Sequence, residues 1–318
     1  MPDTSMIKKQ PYGKTIKEQH LASAKDRLYS FLMADGAFRG AILHATRMVN
    51  EMRANHELGI LETLVLGHAY IGAGLMSVHL KGNDRLSFQL DCTGPIKGLL
   101  AETNAFGEVR GYLKNVPIPI EKPLEDFNLS PFYGAGMLRV TKYLENAKNP
   151  FTGQVHLQYG SLAKDLAWYF LTSEQIPTAF HLSVRFDPNG EVVGAGGFFI
   201  QVMPGADTDM VAEIEPMVSQ LPSLGKSFAE KIDPARLLQE TFKGFNPKIL
   251  DEGRVEFMCH CGKDGVRNLL MMLPVHDLKD IRDNGPFPVE LTCHYCNTAY
   301  FFSKNEIAGI YGARYPNN

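Results

Sequence analysis

Four of the five cysteines stand in two close pairs near the C-terminal end, Cys259-His260-Cys261 and Cys293-His294-Tyr295-Cys296, separated by residues 262–292. Two short pairs joined by a long excursion are the usual way to build a four-thiolate zinc site, because each pair sits on a turn and zinc takes four tetrahedral ligands. The second pair has the common two-residue gap. The first has a one-residue gap, shorter than typical, which still lets both sulfurs reach one metal. Val289–Thr292 predicts a strand into Cys293 and residues 297–302 predict a strand out of Cys296, so the second pair caps a hairpin. A thioredoxin-like Cys-X-X-Cys would open a helix inside a βαβ unit, and that context is missing. His260 and His294 fall between candidate ligands. Four thiolates already complete a tetrahedron, so both histidines are expected to be exposed turn residues. Cys92 stands alone in an apolar-patterned strand and is expected to be a core or interface cysteine.

Composition narrows the partners. The chain has 318 residues, 44% of them hydrophobic, so a real core does not depend on the cysteines. Net charge is −3, and residues 251–318 carry seven Lys plus Arg against nine Asp plus Glu. A phosphate backbone would be poorly neutralised, and no nucleic-acid partner is expected. Leu61 to Leu80 is the most apolar stretch, but Glu62, His68 and His79 lie within it. It is expected to be a buried core helix, with no membrane partner. Residues 1–30 are polar and carry more Lys and Arg than acids, without an apolar h-region. A flexible polar tail is expected over the alternative of a transit-like segment, and with it a cytoplasmic, reducing location where cysteines stay thiols or metal ligands. Outside the cysteine pairs no Gly-rich phosphate loop, nucleophile elbow or His-Glu metal helix appears.

Along the chain the pattern predicts an α+β protein with an N-terminal mixed α/β core, a helical linker and a small C-terminal zinc-binding domain. The expected bounds are 1–30 for the extension, 31–205 for the core, 206–250 for the linker and 251–318 for the cysteine unit. Residues 56–80 predict one long apolar helix. Strands are expected at residues 85–91, 96–102, 108–113 and 155–159, the first from its alternation of Leu86, Phe88 and Leu90. A proline-rich loop is expected at 115–131. Ser161 is expected to cap a helix whose apolar face holds Leu162, Leu166, Tyr169 and Phe170. Residues 180–186 and 192–202 predict a hairpin across Asp187-Pro188-Asn189-Gly190. In the linker Val211, Ile214, Val218 and Leu221 share a helical face that Pro216 should bend, and Asp233-Pro234 has the N-cap and N1-proline pattern.

Taken together, these residues resemble the 33 kDa chaperonin family of redox-regulated holdase chaperones. The resemblance rests on Cys-X-Cys and Cys-X-X-Cys near the end of the chain. It is reinforced by Val255-Glu256-Phe257-Met258 before the first pair and by residues 297–302 after the second. Upstream it is carried by residues 80–86, Thr93-Gly94-Pro95, Val109-Arg110-Gly111-Tyr112, residues 173–178, Gly196-Gly197 and Pro204-Gly205-Ala206. The first 30 residues are extra, and the His-rich cysteine pairs depart from the family pattern. The resemblance implies no catalytic turnover. It implies that the reduced form holds one Zn2+ on Cys259, Cys261, Cys293 and Cys296 and is inactive. It implies that oxidation pairs Cys259 with Cys261 and Cys293 with Cys296, releases zinc and unfolds the linker. The exposed surface would bind unfolding client proteins, the active form being a homodimer and the reduced form a monomer. From the residues alone two other classes stay open. One is an α/β protein whose zinc ribbon is purely structural or mediates an interaction. The other is a thiol oxidoreductase.

Overall fold

A computed structural model describes residues 26–120 and 128–315. Most of the expected extension, and part of the expected proline-rich loop, therefore lie outside the described residues. The described chain forms two compact units that divide between Met258 and Cys259.

The larger unit begins with β1 (Arg27–Met33) and β2 (Phe38–His44), then helices α1 (Thr46–His56) and α2 (Ile60–Met76). Strands β3 (Arg85–Cys92), β4 (Gly98–Asn104) and β5 (Glu108–Leu113) follow, then a short α3 (Ser130–Tyr133), β6 (Gly136–Tyr143) and β7 (Phe151–His156). Next come α4 (Leu162–Ser173), β8 (Thr178–Phe186) and β9 (Val192–Val202). Helices α5 (Thr208–Ser219), α6 (Leu224–Ala229) and α7 (Pro234–Thr241) lead to β10 (Lys248–Arg254) and β11 (Glu256–Phe257). One sheet is antiparallel, in the order β10-β1-β2-β9-β8; the other runs β11-β5-β4-β3-β6-β7, with only the β11–β5 pair parallel.

Helix α2 lies between these sheets. Fifteen of its residues are buried, from Leu61 to Met76, and it packs on β4 and β5 as well as on β8 and β9. A helix apolar on every face must be enclosed on every face. Residues 60–79 are apolar enough to cross a bilayer by length and composition, yet here they form the interior, as expected. Close approach is met by small residues. A Cβ on Gly72 would sit 3.1 Å from Leu166 and near both Phe88 and Leu182, which belong to opposite sheets. Tyr70 spends its hydroxyl on the carbonyl of Gly111 at 3.1 Å, as a buried phenol requires.

Several expectations shift. The single helix over residues 56–80 is broken at Glu57, which takes a left-handed φ of 55° and ends α1. Strand β1 starts at Arg27, inside the expected extension 1–30. Ser161 occupies the N-cap of α4 but makes no side-chain cap. The buried carboxylate of Asp165 accepts the backbone N–H groups of Gln158, Tyr159 and Ser161 instead. Residues 248–257, split in the sequence between the linker and the cysteine unit, are strands of the larger unit's two sheets. Segment 206–250 is helical as expected up to Thr241. Its inward residues Ile214, Leu221, Leu224, Phe228, Leu237, Leu238, Phe242 and Phe245 join one cluster with Phe31, Phe38 and Phe198 of the sheet. The Asp233 side chain caps α7 through the N–H of Arg236. The hairpin across residues 187–190 is present, with Asp187 holding the turn through Asn189 and Glu191.

The smaller unit holds α8 (Lys263–Met271), α9 (Val275–Asn284), a hairpin of β12 (Val289–Thr292) and β13 (Ala299–Phe302), and α10 (Lys304–Arg314). Its own core gathers Leu270, Leu278, Tyr300, Phe302, Ile307, Ile310 and Tyr311. A full capping box starts α10, the Ser303 hydroxyl accepting from Glu306 N–H while the Glu306 carboxylate accepts from Ser303 N–H.

Candidate metal centre

The β12–β13 register, with Leu291 opposite Tyr300 and Thr292 opposite Ala299, sets the turn that carries the second pair. Cys293 N–H donates to Thr298 O at 2.9 Å, and Asn297 N–H donates to Cys293 O at 2.7 Å. Asn297 takes a left-handed φ of 54°, which a short polar side chain tolerates best. The strands therefore close tightly below the turn and lift Cys293 and Cys296 onto one knuckle. Cys259 and Cys261 stand on the segment that leads into α8.

All four Sγ atoms lie within 4.8 Å of one another. Cys259 Sγ is 3.8 Å from Cys293 Sγ, and Cys261 Sγ is 3.2 Å from Cys296 Sγ. A tetrahedron of about 2.3 Å zinc–sulfur bonds has sulfur–sulfur edges of about 3.8 Å. The donors thus already converge at the scale of one ion. Cys259 and Cys296 are buried, and Cys261 and Cys293 are half-buried.

Their proton affinities are those of a crowded anion site. Hydrogen bonds from Cys261 and Cys293 hold the Cys259 thiol down to about 6. Bonds from Cys259, Cys261 and Cys293 hold Cys296 well below the usual thiol range. Cys261 is pushed up, first through its contact with Cys259. Cys293 is pushed up by Cys259, Cys261 and Cys296 together. Charge on two sulfurs thus keeps protons on the other two. A dication among them removes that penalty and lets all four be thiolates. The donor set fits a soft tetrahedral metal ion.

Two hydroxyls complete the surroundings. Tyr300 Oη donates to Cys261 Sγ at 3.0 Å, and Thr298 Oγ1 lies 3.2 Å from Cys296 Sγ. Burial, and then the bond to Cys261, push the Tyr300 phenol above its ordinary range, so it stays a donor. Neither residue is singled out by the cysteine spacing. The only hint in the sequence is that Thr298 and Tyr300 alternate along a strand leaving the pair. His260 and His294 are exposed, as expected of turn residues. Cys92 lies outside the cluster, half-buried at the end of β3, where burial pushes its thiol up.

The model of the family described as Hsp33 protein matches residues 26–303. The chain belongs to the Hsp33 family. Among curated relatives, the 33 kDa chaperonin of Ruminiclostridium cellulolyticum is 35% identical over 289 residues, covering 90% of this chain and 97% of the relative. The 33 kDa chaperonin of Bacillus subtilis is 32% identical over 288 residues, covering 90% and 98%. The crystal structure of the 33 kDa chaperonin, or heat shock protein 33 homolog, of Thermotoga maritima superposes with a TM-score of 0.83 at 33% identity. It covers 92% of this chain and all of that one. Hsp33 membership makes this a chaperone-family protein with an α/β core and a C-terminal cysteine cluster able to hold a metal ion.

Proposed function

We propose that this protein is a redox-regulated, ATP-independent holdase chaperone whose switch is the four-cysteine cluster. The observation that carries the reading is the convergence of the four sulfurs within 4.8 Å, in a chain of the Hsp33 family. In the reduced state Cys259, Cys261, Cys293 and Cys296 would hold one Zn2+, whose chemistry is to keep the four sulfurs as thiolates and tie their two segments together. The chain would then be monomeric and inactive.

An oxidant of the peroxide class would take two electrons from each pair of thiolates. In each event one S–S bond forms, the O–O bond breaks and two hydroxide ions leave. The proposed pairs are Cys259 with Cys261 and Cys293 with Cys296. With their thiolates consumed, the ligands for the metal are gone. Segment 206–250 would then unfold and expose the apolar residues it now buries, among them Ile214, Leu221 and Leu237. That surface would hold unfolding client proteins, the active form being a homodimer. No catalytic turnover is proposed, and the place of action is the cytoplasm.

The test is light scattering of a heat-destabilised client, with the protein either reduced and zinc-loaded or pre-treated with peroxide at elevated temperature. Suppression by the oxidised sample alone is the expected result. Equal suppression by both samples, or by neither, overturns the switch and leaves a zinc unit with a structural or interaction role.

A further inference from the structure

Four sulfurs of one chemical type need not react alike, because their immediate neighbours differ. Tyr300 is fully buried, its ring held in the small unit's core with Leu270, Phe302 and Ile307. The hairpin register places it opposite Leu291, and from there its hydroxyl reaches Cys261 Sγ at 3.0 Å. A phenol so enclosed has one orientation, and its bond falls on a candidate ligand rather than on a backbone carbonyl.

We infer that Tyr300 is a positioning residue of the redox switch, its buried O–H···S bond holding Cys261 as a metal ligand and restraining that sulfur's attack on an oxidant. The inference rests on the reading of the cluster as a metal-held redox site. A hydrogen bond given to a thiolate spreads its negative charge and fixes its direction. The same bond must be weakened before that lone pair can attack. In the attack, Cys261 sulfur bonds to one peroxide oxygen, the O–O bond breaks and hydroxide leaves, giving a sulfenic acid. A neighbouring cluster thiolate then attacks the sulfenic sulfur, the S–S bond forms and a second hydroxide leaves. Two thiolates have supplied the two electrons that reduce one peroxide. Tyr300 transfers no proton in either step. Thr298 Oγ1 lies 3.2 Å from Cys296 Sγ on the other pair, from a less buried position.

Outer-sphere partners of metal ligands are worth roughly 10–100-fold in affinity. Tyr300→Phe keeps the ring and deletes only the donor. The experiment uses the full chain, reduced and loaded with zinc, with metal release under peroxide followed by a chromogenic chelator and thiol loss followed by alkylation and mass spectrometry. Tyr300→Phe is expected to bind zinc about 10-fold more weakly and to release it several-fold faster at equal peroxide. In the cobalt-substituted variant the sulfur-to-cobalt charge-transfer band is expected to shift, which lost packing alone would not do. Replacing Tyr300 with 3-fluorotyrosine leaves the shape and makes a stronger donor, so release must slow; this arm does not depend on the phenylalanine variant folding. Wild-type affinity, release rate and band in both variants would overturn the inference while leaving the switch intact. A wild-type protein that takes up no zinc or cobalt would overturn the switch and the inference together.

Discussion

Single side chains set how this chain responds to acid, and they act with a definite sign. His68 on α2 and His79 just after it are held down to about 4, chiefly by burial, with Arg39 and Lys142 adding to the effect at His79. The His79 ring stands edge-on to Phe199 at 5.3 Å, and its Nε2 is buried without a partner among the described residues. Both imidazoles are therefore neutral in the fold. A depressed histidine leaves stability intact above its unfolded value of 6.5 and loses it as pH falls through about 4. Urea unfolding of the reduced protein at stepped pH is expected to show the larger unit weakening across that window. His79→Phe should flatten the slope and cost less than about 1 kcal/mol at pH 7.5, because it removes an unpaired buried nitrogen; an unchanged slope would count against the assignment. Glu306 behaves likewise at a lower pH. Lys263 beside it, and the Ser303 N–H and hydroxyl, hold its carboxyl down to about 2, so its contribution is complete above 4.5 and is lost toward 2. The Lys263–Glu306 pair is partly exposed, at 29% and 43% of its side-chain surface, and solvent screens it. Glu306→Gln, which keeps the capping box, should cost only about 0.2–1 kcal/mol. Ser303→Ala, which breaks the box, should cost about 1 kcal/mol in the melting of the smaller unit.

At the scale of elements, how each part of 206–250 is seated differs sharply. Helix α5 buries only Ile214, and Pro216 lies inside it. Helix α6 instead meets the sheet backbone to backbone. A Cβ on Gly194 of β9 would stand 2.0 Å from Gly225 O and 2.7 Å from Ala229 N. The N-terminus of α6 is tied down by Ser183, whose hydroxyl accepts Gly225 N–H at 3.1 Å and lies 2.9 Å from Ser223 Oγ. Gly194→Ala must lift α6, with an overpacking cost of about 1–3 kcal/mol. Hydrogen exchange in residues 223–245 is expected to speed up while β3–β6 stay protected; unchanged exchange would show that the helix is not clamped there. None of this was readable in advance. Gly194 and Gly225 are far apart in the chain, and no local pattern pairs them. The hairpin of β8 and β9, the enclosed α2 and the cap at Asp233 were readable, because alternation, unbroken apolarity and Asp-Pro are local signals. Strand β10 was not. Its sequence Lys-Ile-Leu-Asp-Glu-Gly-Arg lies on a sheet edge with most side chains exposed, so no burial pattern marks it. The same logic divides the cluster. The cysteines announce themselves by spacing, whereas Tyr300 reaches Cys261 only through the folded hairpin.

At the scale of the molecule, the two units face different energetics. The larger has two sheets about an enclosed helix, and among the described residues none of its side chains joins a group placed to hold a metal ion. The smaller has about seven well-buried apolar residues in roughly 60 residues, a size at which a core alone is marginal. A structural zinc in a small peptide contributes an apparent 10–16 kcal/mol or so, against a domain stability of about 5–15 kcal/mol. Loss of such a metal from the cluster would thus be large enough to decide whether the described residues 259–315 fold, without any oxidant. A strong chelator under reducing conditions keeps all four cysteines as thiols and separates loss of metal from disulfide formation. Exchange protection is expected to collapse in the described residues 259–315 and to persist in α2 and β3–β5. Re-addition of zinc should restore it. Because the ligands must shed protons to bind, less chelator should suffice as pH falls from 8 to 6. If the smaller unit keeps its protection after the metal is stripped, the Leu270–Leu278–Tyr300–Phe302 core is sufficient by itself. Metal loss could not then be the event that unlocks the chain, and the disulfides would have to act directly.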